Sequence, residues 1–301
     1  MRLPSSTLLA ATGLLLILLV GSVVSAQQPD RSARSERPQP LSLAQADPRQ
    51  PDAQLYSKEE KTETRSTEVD SSSWGISGPI SLRSADPEEP GELEVKNIFE
   101  WSTSRDGSHD DYEYEIELEY GLSENHELIF EVPVELGDGR VPGNADITLG
   151  WHWRLLKEQD WLPAFAIRNY IRVPSGVDSS GVDYELKGLF TKTLVPVVLR
   201  AHFNPFLKSV NGHNDDDYRH FQWGGIFGVD YKLSENLLFI ADYIYKNGEE
   251  EHTRDQHAME FGVDWTIAKN QKIGFATEIG LDGDSQGPSL GAKISYILSF
   301  E

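Results

Sequence analysis

The 301-residue sequence contains no cysteine, which excludes disulfide bonds and thiolate metal sites as sources of stability. Basic residues are scarce as well, because 27 Lys and Arg stand against 49 Asp and Glu, and the formal net charge is -22. Phosphate binding needs a basic surface, so this balance argues against nucleic acid as a partner. The apolar run at residues 8–20 is shorter than the roughly 20 residues of a membrane-spanning helix.

That run belongs to an N-terminal pattern typical of a cleavable secretory signal. Arg2 gives a positive start, and small residues follow the run and end at Ala26. We expect a signal peptide over residues 1–26 with cleavage after Ala26, and a membrane anchor is the alternative. No cysteine lies near the cleavage site, which excludes a lipid-modified N-terminus.

Residues 27–90 differ in composition, since Pro, Gln, Ser and charged residues dominate and large apolar residues are rare. Such a segment cannot bury enough apolar surface to offset its chain entropy, so the sequence predicts a disordered periplasmic linker. Its one apolar patch is Ser-Trp-Gly-Ile-Ser-Gly-Pro-Ile at residues 73–80. The composition favours a tail in which this patch makes no specific contact. The alternatives are a contact with the mouth of a barrel and a short plug.

The stretch at residues 111–134 shows the pattern that most of the chain repeats. Apolar residues alternate with glutamates from Tyr112 to Tyr120, and a second alternation starts at Leu128 after a polar turn. A period of two places the apolar groups on one face of a strand and the carboxylates on the other, so the stretch predicts an antiparallel hairpin. In a soluble sheet the apolar face would meet a core, whereas in a membrane barrel it would meet lipid.

The same alternation marks about twelve strands over residues 91–301. Short turns alternate along the chain with longer loops, and aromatic residues gather near both ends of the strands. An even strand number, long loops on one side and two aromatic girdles are typical of outer-membrane barrels. We therefore predict an all-β fold, a transmembrane antiparallel up-and-down β-barrel in the cell outer membrane, in contact with outer-membrane lipid.

Several short motifs occur in a recognisable order. They are Tyr-Gly-Leu-Ser-Glu-Asn-His-Glu-Leu at residues 120–128, Gly-Asn-Ala-Asp-Ile-Thr-Leu-Gly at 143–150, Val-Pro-Ser-Gly at 173–176 and Phe-Thr-Lys-Thr-Leu at 190–194. In these motifs the chain resembles the transporter-like outer-membrane family linked to the meta-pathway of phenol degradation. The resemblance covers most of the barrel region and implies an outer-membrane channel, with no catalytic residues to transfer.

Function would lie in the lumen, towards which the charged face of the strands is predicted to point. We predict that acids on the second and third strands face arginines on the fourth, fifth and seventh. The lumen-lining candidates are Glu113, Glu115, Glu117, Glu119, Glu131, Arg154, Arg168, Arg172, Arg200, Asp242, Glu260 and Asp264. Walls of opposite sign would orient charged solutes across a narrow pore, whereas paired acids and guanidiniums would fill the lumen with a structural network.

The favoured function is passive passage of small solutes, aromatic or hydrophobic ones included. One alternative is a scaffold or anchor whose linker engages a periplasmic partner. The other is a lipid-modifying enzyme, but His152, Ser175 and Asp146 form no nucleophile motif of the usual kind. Acids beside histidine in three outer loops match no defined calcium loop and are interpreted as solvated, so the sequence predicts no catalytic residue, cofactor or metal.

Overall fold

The computed structural model describes residues 75–104, 110–136, 143–177, 179–211, 218–281 and 288–301. The predicted signal peptide and residues 27–74 of the predicted linker lie outside the described residues, as does most of the acidic loop at 213–220. These predictions therefore stay predictions. Within the described part, no helix is long and apolar enough to span a membrane.

The described chain forms one antiparallel sheet that closes on itself. Twelve long strands make the barrel, and a two-residue strand, β4, extends the pairing of β3. The strands are β1 (Leu93–Thr103), β2 (Asp110–Ser123), β3 (His126–Glu135), β4 (Gly143–Asn144), β5 (Ile147–Leu156), β6 (Ala164–Val173), β7 (Asp183–Val195), β8 (Leu199–Ser209), β9 (Phe221–Ser234), β10 (Leu237–Lys246), β11 (Gln256–Ala268), β12 (Gln271–Gly280) and β13 (Leu290–Phe300). The prediction of an all-β barrel of about twelve strands is confirmed.

Closure pairs the first strand with the last. Leu93 of β1 lies opposite Phe300 of β13, and the pairing runs without a register shift to Thr103 and Leu290. A closed barrel leaves no strand edge, so the backbone N–H and C=O groups pair between strands, as a hydrocarbon environment requires. Register shifts occur in five other strand pairs, each next to a short turn.

The two ends of the barrel differ. At one end, which we call the turn end, the strands are joined by short turns, three of which consist of residues 124–125, 235–236 and 269–270 alone. The opposite end, the loop end, carries the longer connections, such as 247–255. This asymmetry agrees with the turns and loops predicted from the sequence, and both ends of the barrel region lie at the turn end.

The longest turn, between β5 and β6, is held by the carboxylate of Glu158. It accepts hydrogen bonds from Lys192 Nζ at 2.6 Å and from the Thr193 N–H at 3.0 Å. Partial burial raises the pKa of Glu158, but the hydrogen bonds from Lys192 and Thr193 outweigh this and hold the pKa below its ordinary value.

Alternation along each strand separates an apolar exterior from a polar interior. Phe227 is 59% exposed and Phe275 49%, and both face outwards. The inward-facing carboxylates of Glu94, Asp230 and Glu260 are fully buried. A soluble sheet would bury the apolar face, so this inverted arrangement is that of a barrel surrounded by lipid.

Residues 75–92, which we call the lumenal segment, run through the lumen as far as Glu88 and join β1 at the turn end, where residues 89–91 are exposed. Ile76, Ile80 and Leu82 are buried and pack with inward-facing Ile226 and Ile240 in one apolar cluster. The prediction that the whole of 27–90 is a disordered linker is wrong for residues 75–90. The patch at 73–80 was predicted to be part of a tail without specific contacts, with a plug as one alternative. Its described part is a plug, because its aliphatic side chains pack against apolar residues of the barrel wall.

Candidate functional site

The lumenal segment enters the barrel at the turn end and is held there by β11. The carboxylate of Asp264 accepts hydrogen bonds from the backbone N–H groups of Ser77 and Gly78, at 3.2 and 2.9 Å. Further up the same strand, Glu260 accepts one from the Ser81 N–H at 2.7 Å. Two acids of the predicted lumen wall thus hold backbone rather than a solute.

At mid-height the segment crosses to β8. Asn204 is fully buried, and its side-chain oxygen accepts from the Arg83 N–H at 2.8 Å. Its side-chain nitrogen donates to the Arg83 carbonyl at 3.1 Å. One amide thus satisfies both backbone groups of Arg83, which would otherwise be buried without partners.

The segment then returns towards the turn end. The Ala85 N–H donates to Thr191 Oγ1 at 2.8 Å, and the Ala85 carbonyl lies 3.2 Å from His152 Nε2. The Glu88 N–H donates to Glu127 at 2.9 Å. Side chains of five strands, β11, β8, β7, β5 and β3, therefore contact the segment in turn, and it occupies the half of the lumen nearest the turn end.

Glycines in the wall make room for the segment. A Cβ atom added at Gly274 would lie 2.5 Å from Pro79 Cδ, and one added at Gly228 would lie 2.9 Å from Leu82 Cδ2. At Gly262 a Cβ would come within 3.1 Å of Ile80 Cδ1. Because these glycines face inwards, they form a shallow groove against which the apolar side of the segment lies, and we call them the glycine groove.

Two of the four predicted wall acids of β2, Glu117 and Glu119, are paired with cations. Lys96 Nζ lies 3.5 Å from Glu117 and also hydrogen-bonds Glu119. Arg168 Nη2 bridges Glu119 at 2.8 Å and Glu127 at 2.5 Å. For these residues the structure favours the paired network over facing walls of opposite charge. Such pairs are strong when buried and complete, so they fix the wall.

The other arginines of the predicted lumen wall are also paired. Arg200 binds Asp230 on the neighbouring strand, with its Nε 3.0 Å from Asp230 Oδ2. Arg154 reaches Asp86 of the lumenal segment at 3.1 Å. Arg172 lies 3.8 Å from Asp183, towards the loop end.

The remaining predicted lumen residues lie on the same inward face. Asp242 is buried beside Gly228, and Glu131 is half-buried on β3. The structure thus places all the predicted lumen residues on the inner face of the barrel. That they line a path for solute stays a prediction.

A cavity of about 160 Å³ lies on the loop side of the lumenal segment. Three carboxylates line it, those of Glu100, Glu113 and Glu115, and two cations, Arg83 and Lys293. Its floor is formed by residues 79–81 of the segment. The cavity is therefore a charged chamber beside the lumenal segment, with Glu100 and Glu113 on its loop-end side.

The residues considered for enzyme chemistry do not come together. Ser175 and Asp146 meet at the loop end, where the Ser175 N–H donates to Asp146 Oδ1 at 3.1 Å. His152 is buried in the lumen against Ala85. His152 lies six positions after Asp146, about 20 Å along an extended strand.

Sequence reasoning missed two residues that hold the segment, Asn204 and Thr191. Both are inward-facing and polar, and both are buried. The glycine groove was missed as well. A sequence signal existed, because Gly228, Gly262 and Gly274 occupy inward positions of strands otherwise rich in side chains, and a strand glycine often marks a close approach by another backbone.

These features define the class of the protein: a closed, twelve-stranded transmembrane β-barrel whose lumen holds an N-terminal segment. Among solved structures, an outer-membrane channel from Pseudomonas putida F1 is similar, with a TM-score of 0.55, 12% identity, and coverage of 73% of this chain and 100% of that chain. The NanC porin gives a TM-score of 0.50, 10% identity and coverage of 68% and 98%. The KdgM porin gives a TM-score of 0.50 and 11% identity, with coverage of 69% of this chain and 99% of the porin chain.

At these identities the likeness shows a shared fold and no more. No protein-family model matches the sequence, and no curated protein matches it either.

Proposed function

We propose that this protein is an outer-membrane channel for the passive passage of small solutes. The observation that carries the proposal is the inverted barrel, with an apolar exterior and a charged interior that leaves a cavity above the lumenal segment. The three structural neighbours are an outer-membrane channel and two porins, which supports the same location and activity.

The cavity suggests the size of the solute. Drug-sized ligand sites have volumes of about 300–1,000 Å³, well above the roughly 160 Å³ found here. By volume, a cavity of this size holds a solute as large as one benzene ring. Its lining of three carboxylates and two cations favours, among solutes of single-ring size, those that carry polar groups.

The lumenal segment makes the path narrow. It is held by hydrogen bonds and ion pairs to the wall and by one apolar cluster on β9 and β10. Passage past it requires either a thin route along the wall or a shift of the segment. We propose the segment as the element that limits the size and rate of passage.

Two measurements test the proposal. Purified protein in planar bilayers should give discrete conductance steps, and a variant lacking residues 75–90 should give larger ones because the turn half of the lumen is then empty. Proteoliposomes should swell in solutes of single-ring size and not in bulkier ones. Silence of both the full-length protein and the shortened variant, with the barrel folded, would overturn the proposal.

The alternatives have less support. A scaffold that engages a periplasmic partner rests on residues 27–74, which lie outside the described part of the chain. A lipid-modifying enzyme would need a nucleophile beside a base, and the candidates His152 and Ser175 are far apart. Hydrolysis of phospholipid by the purified protein would revive that alternative.

A further inference from the structure

Three carboxylates meet where the lumenal segment joins the first strand. Glu88 belongs to the segment, Glu92 lies just before β1, and Glu94 lies within β1. One oxygen atom of each carboxylate lies within 4.8 Å of the others. This cluster is separate from the cavity and from the residues that hold the middle of the segment.

Glu94 gives a second, independent observation. It is fully buried, and its Oε1 accepts hydrogen bonds from Lys272 Nζ at 3.0 Å and Ser299 Oγ at 3.1 Å. Its Oε2 is buried and has no hydrogen-bond partner among the described residues. A buried carboxylate oxygen in this state is costly, and a cation is one way to satisfy it.

Charge points the same way. Three carboxylates surround the site and Lys272 is the cation bonded to one of them, so a formal excess of negative charge remains. Glu127, which accepts the Glu88 N–H, does not add to this excess because Arg168 pairs with it. Carboxylate oxygens are hard ligands, which favour Ca²⁺ or Mg²⁺ over softer metals.

Ligand geometry separates these two ions. Ca²⁺ accepts several carboxylate ligands in a flexible arrangement, whereas Mg²⁺ demands a near-ideal octahedron and usually keeps several waters. Three carboxylates within 4.8 Å of one another, contributed by the segment and by β1, suit the more tolerant ion. We propose that Glu88, Glu92 and Glu94 form a Ca²⁺ site that fastens the end of the lumenal segment to the barrel wall.

The test is calcium titration of the full-length protein in a neutral detergent after removal of divalent ions. The wild-type protein should bind Ca²⁺ at this site, and the double variant Glu88→Gln with Glu92→Gln should bind it at least tenfold more weakly. Glu89→Gln is the matched control, because Glu89 is an exposed glutamate of the same segment and lies outside the cluster. Its affinity should equal that of the wild type.

Several results would overturn the proposal. They are absence of Ca²⁺ binding by the wild-type protein, equal binding by the double variant, or equal loss in Glu89→Gln. Equal affinity for Mg²⁺ would overturn the assignment to Ca²⁺. The single variant Glu92→Gln gives the same comparison if the double variant does not fold, and barrel folding is checked by its altered mobility in gels without heating.

The predicted binding does not depend on the proposed channel activity. An effect of Ca²⁺ on conductance does rest on the proposed channel activity, since a lumenal segment fastened by Ca²⁺ should be released less often and the channel should open less often. Calcium binding without any conductance would therefore support the site while contradicting the channel.

Discussion

The apolar contact between the lumenal segment and the wall gives the sharpest prediction. Ile80 is 2% exposed and Leu82 is fully buried, and both pack in the cluster with Ile240. We expect the double variant Ile80→Ala with Leu82→Ala to release the segment more often while the barrel stays closed. The pairing between strands does not involve either side chain, so the fold has no reason to fail.

The size of the effect follows from the burial of the two residues. Truncating a buried Leu or Ile to Ala costs about 2–5 kcal/mol. Water can enter the charged lumen around the truncated site, so we take the lower value, about 4 kcal/mol for both together. Each 1.4 kcal/mol corresponds to a tenfold change, which gives a rise in the released population of about a thousandfold.

Two readouts follow the released state. Trypsin should cut after Arg83, which lies between the wall contacts of the segment, at a rate that tracks the released population. Open events in single-channel records should become more frequent by a similar factor. Ile129→Ala, a truncation of a buried wall residue outside the apolar cluster, is the control. Unchanged cleavage and unchanged opening in a folded double variant would refute the reasoning.

Three further predictions concern single groups. Asp264→Asn should loosen the lumenal segment slightly and Asp264→Ala should loosen it more, since each hydrogen bond to a charged group contributes about 1.5–3 kcal/mol. Trypsin should therefore cleave Asp264→Ala faster than Asp264→Asn, and Asp264→Asn faster than the wild type; equal cleavage would contradict this. The double variant Glu115→Gln with Glu117→Gln should lower the preference of the channel for cations over anions, which is measured as a reversal potential in a salt gradient. Glu115 should account for most of the change, because Glu117 is paired with Lys96. The stabilisation from Glu158, whose folded-state pKa is lowered, should be complete at neutral pH and decrease as the pH falls through that pKa. Protection of the amides in residues 157–163 from exchange, measured relative to the intrinsic exchange rate at each pH, should therefore fall in acid for the wild type and show no such step in Glu158→Gln.

The fold could be predicted from the sequence because the decisive pattern is local. Alternation in β2, where glutamates separate tyrosines and aliphatic residues, fixes which face is polar without knowledge of any partner strand. The short turns and longer loops are likewise visible along the chain. Strand number and the inverted exterior follow from these two patterns together.

The occupation of the lumen could not be predicted in the same way. Residues 75–92 carry too few apolar side chains to form a core of their own, and Ile80 and Leu82 are buried only because the wall supplies Ile226 and Ile240. The pairing of Arg168 with Glu119 and Glu127 depends on how far each side chain reaches across neighbouring strands. Both features depend on three-dimensional neighbours that alternation does not reveal.

The glycine groove reverses the usual relation between side-chain volume and pore size. In an empty barrel, a larger inward residue narrows the passage. A Cβ atom at Gly274 would lie 2.5 Å from Pro79 Cδ, whereas at Gly262 the nearest atom of the lumenal segment is 3.1 Å away, and at Gly228 Asp242 and Ala241 of the wall are nearer than Leu82. Bulk at position 274 would therefore press the lumenal segment away from the wall, so a larger wall residue there would free space in the lumen instead of filling it.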